Sequence, residues 1–414
     1  VSHILLDVIA RSRAGHPAAI PSVCSAHPEV LEASLRLARR LGRPIVIEAT
    51  SNQVNQDGGY TGQRPADFVT TLHALADRVG LDRAQVVLGG DHLGPQAWRH
   101  LPAPEAMAKA DAMIRAYAQA GFTKLHLDCS EGCAGEPAQL SDAETVPRAA
   151  DLARAAVETA PADTLLFVVG TEVPPPGGAR AGEHGIAPTT PQAARATLDA
   201  HADAFRDLGR IGGLVVQPGV EFGALDIHHL PLERDPGLRA AVAHHDGVVL
   251  EAHSTDYQRP AAFPRLAELG FAFQKVGPAL TFAWREAAYA LDALARIAGW
   301  SDGDLPGTME ALMLAKPRHW QKHLDPQAAD LRLQRHAAYA DRIRYYWPRP
   351  EAQAALVRLR AALDGRHLPE PFLLQGFAPA VLDRAEALSD LPRLDALLQA
   401  SVQEALAPYF FGSA

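Results

Sequence analysis

The chain has 414 residues and a formal net charge of −9, which allows one large core with an appended segment and argues against nucleic acid or an anionic membrane as main partner. Its three cysteines, Cys24, Cys129 and Cys133, are too few and odd in number for a secreted disulfide framework. Apolar runs such as LLFVVG from Leu165 fall far short of the ~20 residues that cross a bilayer, so no membrane span is expected and the protein reads as cytoplasmic.

In chain order, VSHILLDVIARSRAG reads as an amphipathic helix and not as a signal peptide, because Asp7 interrupts its apolar stretch and Arg11 and Arg13 follow. Short apolar, β-rich runs then recur at intervals of roughly 25 to 48 residues, each bounded by turn chemistry. They are AIPSVC (19–24), PIVIEA (44–49), QVVLGG (85–90), KLHLDC (124–129), LLFVVG (165–170), GLVVQP (213–218), GVVLEA (247–252) and FAFQKV (271–276). Helical patterns lie between them. HPEVLEASLRLARRLG places Leu31, Leu35 and Ala38 on one face, and AMAKADAMIRAYAQAGF and TPQAARATLDAHADAFRDLG behave alike, each ending near a glycine. Continuous apolar strands alternating with amphipathic helices indicate a parallel sheet covered by helices. Eight such units fit an α/β fold of the (β/α)8 TIM-barrel type better than an open sheet. No G-x-G-x-x-G follows the first strand, which weighs against a dinucleotide fold. After Trp300 the turn-rich SDGDLPG leads into helical stretches (MEALMLA, EAQAALVRLRAALDG, RLDALLQASVQEALAPY). The expected division is a barrel over 1–300 and a C-terminal helical extension over 301–414, which caps the barrel or serves subunit contact.

Active sites of such barrels lie at the carboxyl ends of the strands, and there the sequence is rich in polar groups. Strand 2 ends at Glu48 and leads to Asn52. Strand 3 ends GGDH (89–92), with the glycine pair expected to turn the chain at the rim. Strand 4 delivers His126 and Asp128, strand 5 Glu172, strand 6 Gln217, strand 7 Glu251 and His253, and strand 8 Lys275. His92, Glu172 and His253 form a set suited to Zn²⁺ or a similar divalent ion, with Gln217 as a further candidate ligand. Such a metal polarises a carbonyl and stabilises an enolate. Asp91 is then the natural general acid/base. Asp128 orients a ligating histidine, holds a substrate hydroxyl or caps the next helix. The two thiols of C-x-x-x-C at Cys129 and Cys133 are a weak metal signal. TEVPPPGGARAGEHG, from Thr171, reads as a loop over the rim that carries His184. A helix beginning after Gly277-Pro278, with Lys275, Thr281 and Arg285, joined by Ser254 and Thr255, matches the usual barrel position for a phosphate.

The stretches SVCSAHP, IEATSNQVNQ, GGDHLGP, KLHLDCS, GTEVP, VVQPGVEF, EAHSTDYQ, KVGPALTF and DRIRYYWP span Ser22 to Pro348 in order. Together they resemble the Z-type subunit family of class II D-tagatose-1,6-bisphosphate aldolases, some members of which carry a tagatose-6-phosphate kinase label. No nucleotide motif supports the kinase label. More distantly, the order is similar to class II, metal-dependent ketose-bisphosphate aldolases. The resemblance implies that Asp91 is the catalytic acid/base, His92 and His253 are zinc ligands, Glu172 is the glutamate after strand 5, and Asp128 belongs to an acidic motif after strand 4. It also shows two departures: Gln217 stands where those aldolases place a zinc histidine, and Ser254-Thr255 where they place a glycine pair. Two functions follow from it. One is a divalent-metal enzyme acting on a free or phosphorylated ketohexose by aldol cleavage or C4 epimerisation. The other is a non-catalytic, chaperone-like partner of a separate class II aldolase subunit. Association of identical chains is expected in either case.

Overall fold

A computed structural model describes residues 3–170 and 186–412. Eight parallel strands close into a barrel in sequence order: β1 (Ile20–Cys24), β2 (Ile45–Thr50), β3 (Val86–Leu93), β4 (Lys124–Leu127), β5 (Leu166–Val169), β6 (Arg210–Val215), β7 (Val249–Ala252) and β8 (Phe271–Val276). β8 pairs back onto β1, Ile20 lying against Phe273. The (β/α)8 barrel expected from the pattern is the fold found, because strands buried on both faces must be continuously apolar on their outer side. Helices α2 (Pro28–Leu41), α3 (Pro65–Val79), α4 (Ala103–Gln119), α5 (Asp142–Val157), α6 (Pro191–Ala204), α7 (Ala262–Glu268) and α8 (Pro278–Ile297) form the outer ring. α2 shows why they form where they do. Pro28 opens it, Leu31, Leu35 and Ala38 are buried, and Gly42 at φ 61° ends it by returning its N–H to the carbonyls of Ala38 and Arg39. Between β6 and β7 a short hairpin (Glu221–Phe222 with Ile227–His228) and a 3-10 turn (Leu238–Val242) stand in place of a full helix.

Strand boundaries differ from the sequence reading by up to three residues, and two of the differences matter for the site. β6 starts three residues before the apolar run at Gly213. β3 does not turn at Gly89-Gly90 but continues to Leu93. The glycines serve close approach instead. A Cβ on Gly89 would stand 2.7 Å from Glu48 Cγ inside the barrel, and one on Gly90 would stand 2.4 Å from Leu93 Cδ1.

The chain after residue 300 is helical: α9 (Leu305–Ala315), α10 (Leu331–Ala337), α11 (Pro350–Leu363), α12 (Glu370–Leu373), α13 (Pro379–Glu386) and α14 (Arg393–Leu406). α14 packs against α8 and α2. Just beyond it, the Tyr409 ring lies 4.0 Å from that of Phe263, and its hydroxyl donates to the Thr255 carbonyl at 3.0 Å. Tyr409 thus braces the loop that follows β7. None of the described helices is long and apolar enough to cross a membrane.

The barrel interior is layered by the period of two along each strand. At the floor, α1 (His3–Arg13) presents Leu5, Val8 and Ile9 to Ile20, Val46, Val87, Leu166, Val249 and Phe273. Above it lies a layer of charge. Lys124, fully buried, places its ammonium 2.5 Å from Glu48 and 2.6 Å from Glu251 and 5.2 Å from the centre of the Phe273 ring. Lys275 completes the layer at 3.0 Å from Glu251 and 3.3 Å from Glu48. Each charge loses water on burial and is stable there only because its partner is fixed. Lys124→Met should therefore leave Glu48 and Glu251 short of a counter-charge and cost about 3–5 kcal/mol, read as a lowered urea midpoint. Adding Glu48→Gln should recover part of the loss, and an unchanged midpoint in Lys124→Met would contradict this role.

Candidate active site

The site rests on the charged layer, at the carboxyl ends of the strands. In a regular strand Asp91 and His92 would face opposite sides. Here the pairing of β3 with β4 slips between Gly90 and Leu93, and His92 adopts φ 45°. The bulge turns both side chains inward, where both are buried. His253 on the β7 end and His126 on β4 join them. The three imidazoles stand edge to face, with centres 5.0–5.1 Å apart. One ligand atom from each of Asp91, His92, His126 and His253 lies within 4.8 Å of the others.

Each group is held from behind. His92 Nδ1 meets Asp128 at 2.7 Å, and Asp128 accepts from the N–H and hydroxyl of Ser130 at 3.0 and 2.7 Å. His253 Nε2 meets Glu251 at 2.8 Å. His126 Nδ1 meets Asp91 at 2.9 Å, while its Nε2 is buried with no partner among the described residues. Lys275 makes a very short ion pair with Asp91. Cys24 donates its thiol to Glu48 and Asp91 at 3.1 and 3.3 Å.

The electrostatics divide these groups. Burial, then the nearby Lys275 ammonium, lowers His253 to about 3. Burial likewise lowers His126. Both are neutral imidazoles with a lone pair to offer, the form that binds metals. Burial opposes a charge on His92, but Asp91 and Asp128 outweigh it and raise its pKa. Burial also opposes ionised Asp91, and His92 and Lys275 nevertheless hold it well below the usual carboxylate range. Burial, followed by Asp91 and Glu48, keeps Cys24 a thiol. Three carboxyl groups (Glu48, Asp91, Glu251) meet two ammonium groups (Lys124, Lys275) here, and a fourth, Asp128, meets His92, so the acids outnumber the cationic groups. An unpartnered imidazole nitrogen, three converging rings and a shortfall of positive charge fit a divalent cation.

The pocket above this cluster is lined by Cys24, Asn52, Gln53, Ser254, Asp256, Lys275, Gly277, Arg344 and Tyr345, among others. Of the expected substrate-binding residues, Asn52, Ser254 and Gly277 lie on its wall, and Ser254 adopts φ 52°. Lys275 also reaches it, but its ammonium is committed to the carboxylates beneath. Thr255 turns away, giving its hydroxyl to the Lys275 carbonyl at 2.6 Å. Thr281 and Arg285 face Asp341 at 2.6 and 3.3 Å. Thr281 lines an adjoining cavity, and Arg285 lines neither. Gln217 folds onto its own loop, its Oε1 accepting from the N–H groups of Gly219 and Val220 at 2.8 and 3.0 Å, so that oxygen is occupied within the loop. Glu172 and His184, with the rest of the loop read from Thr171, lie outside the described residues. Cys129 and Cys133 are not part of the cluster.

His126, Cys24, Lys124, Arg344 and Tyr345 had no assigned role in the sequence reading. The alternation Lys124-x-His126-x-Asp128, matched by Glu251-x-His253, was the available signal, since it sends every second polar residue to one face.

Comparison with known proteins places the chain in a family. A protein of Agrobacterium fabrum named D-tagatose 6-phosphate 4-epimerase is 47% identical over 417 residues, covering 98% of this chain and 97% of its own length. The crystal structure of a probable tagatose 6 phosphate kinase from Sinorhizobium meliloti 1021 superposes with a TM-score of 0.84 at 46% identity, over 95% of this chain and 99% of that one. Residues 5–414 match the family described as D-tagatose-1,6-bisphosphate aldolase subunit GatZ/KbaZ-like. The chain belongs to the GatZ/KbaZ-like family.

Proposed function

We propose that this protein is a divalent-metal enzyme that inverts C4 of a ketohexose 6-phosphate, interconverting tagatose and fructose 6-phosphates by retro-aldol cleavage and re-addition. The observation that carries this reading is the convergence of His92, His126 and His253 on one point beside an ionised Asp91. The name of the Agrobacterium fabrum relative supports the substrate. A purely structural subunit would have no use for three imidazoles braced by buried carboxylates.

His92, His126 and His253 would hold the ion, and zinc suits so nitrogen-rich a set. Glu172 remains a proposed further ligand on the resemblance alone. When bound, the ion supplies Lewis-acid stabilisation to negative charge on the substrate carbonyl oxygen. Asp91, kept ionised by His92 and Lys275, takes the proton from the C4 hydroxyl. The C3–C4 bond then breaks, leaving an enolate on the C1–C3 half and an aldehyde on the C4–C6 half. The aldehyde rotates to present its other face, C3 re-adds to it, and Asp91 returns the proton to the new C4 alkoxide. No atoms are gained or lost. Asp128 fixes the His92 ring so that Nε2 faces the cluster, and Glu251 positions His253 in the same manner.

Two outcomes test this. The purified chain alone, without ATP or a partner subunit, should convert tagatose 6-phosphate to fructose 6-phosphate and reach the same ratio from either side. Chelation should stop it and a divalent ion restore it, whereas strict dependence on a partner aldolase would favour the subunit role. Asp91→Asn should lower kcat by about 10²–10⁴-fold while metal content persists, and an unchanged kcat would remove Asp91 from proton transfer.

A further inference from the structure

The stretch 341–347, DRIRYYW, lies between α10 and α11 and brings two arginines to the rim of the site. Neither Arg342 nor Arg344 has a carboxylate within ion-pair distance among the described residues. Arg342 is buried; its Nε donates to the His319 carbonyl at 2.6 Å, and its Nη1 has no partner among the described residues. Arg344 gives Nη1 to the carbonyls of Ala340 and Asp341 at 2.6 and 2.9 Å and Nη2 to the Tyr345 hydroxyl at 3.2 Å. Both guanidinium groups stand over the Tyr345 ring, 4.5 and 4.6 Å from its centre. The acids that might neutralise them are occupied. Asp341 accepts from Thr281 and Arg285, and Asp256 accepts from the N–H groups of Gly277 and Ala279 at 2.9 and 2.8 Å.

Two like charges on one ring, Arg342 buried and Arg344 half-buried at the pocket wall, repel each other where no carboxylate pairs with either. The loop is nonetheless firmly built. Asp341 is held at φ 41°, and Tyr257 donates to the Tyr339 carbonyl at 2.7 Å. Arg344 also lines both the pocket over Asp91, His92 and His253 and the adjoining cavity lined by Ser25, Tyr60 and Gln63. It therefore stands where a ligand with one end on the imidazoles would place its other end. A planar, permanently charged fork in this position matches a phosphate.

We infer that Arg344, backed by Arg342 and Tyr345, binds the phosphate of the substrate and makes the site selective for phosphorylated sugars. This places the anion on the 341–347 loop instead of on Thr281 and Arg285, whose polar groups face Asp341. The inference rests on the function proposed above only for what the phosphate is attached to.

Calorimetric titration of the full chain with inorganic phosphate tests it. The wild type should bind saturably and phosphate should compete with the sugar phosphate. Arg344→Gln should weaken binding at least about tenfold, the loss expected for a charge-assisted pair, and Arg344→Lys should weaken it less. Arg358→Gln, an exposed change on α11, should bind as the wild type does. No saturable binding to the wild type, or wild-type affinity in an Arg344→Gln protein with an unaltered circular dichroism spectrum, would overturn the inference. Binding that depends on Arg344 without interconversion of the sugar phosphates would uphold the inference and defeat the proposed reaction. Interconversion with an unchanged KM in Arg344→Gln would do the reverse.

Discussion

Two ammonium groups sealed inside the barrel are the constraint on which the site depends. Lys124 and Lys275 bridge Glu48 and Glu251 across its middle, and in so low a dielectric neither sign is tolerable alone. The consequences run upward. Glu251 fixes His253, and Lys275 holds Asp91 charged. Asp91 in turn meets His126. A layer that looks like a stability element is therefore the base on which the imidazoles are aimed, and burial together with the Lys275 ammonium keeps His253 neutral.

Backbone strain is spent in the same place. Among the described residues, the non-glycine positions with positive φ are His92, Ser254, Tyr257 and Asp341. Two immediately follow barrel residues of the cluster, one packs on the 339–345 region, and one opens the arginine loop. Such conformations cost of order 1–3 kcal/mol each and persist where the surroundings over-determine them. For His92 the result is specific: the bulge lets two consecutive residues share one interior, setting the proposed acid/base beside a proposed metal ligand.

The barrel was legible because its parallel strands are buried on both sides and so read as unbroken apolar runs. The rim was legible for the same reason, since His92, Asp91, Asp128 and His253 stand where those runs stop. What the pattern concealed was pairing. Lys124 opens a strand, and only the closed sheet brings Glu48 and Glu251 to it. Thr281 and Arg285 have the right chemistry for an anion and the right place after β8, but Asp341, some sixty residues later by its separation of 60 from Thr281, turns them inward. The same loop supplies Arg344, so both the displacement and its replacement come from one distant segment. Gly89 and Gly90 read as a turn because glycine is ambiguous between a bend and a close approach. Here Glu48 and Leu93 decide the matter.

We propose that the closed barrel assembles one metal centre from three strand ends. Anomalous diffraction at the zinc absorption edge, from crystals of protein purified without chelators and supplied with zinc, tests it most directly. A single strong peak is expected at the point shared by His92, His126 and His253. A peak elsewhere, or none at these three rings in protein that remains active, would contradict it.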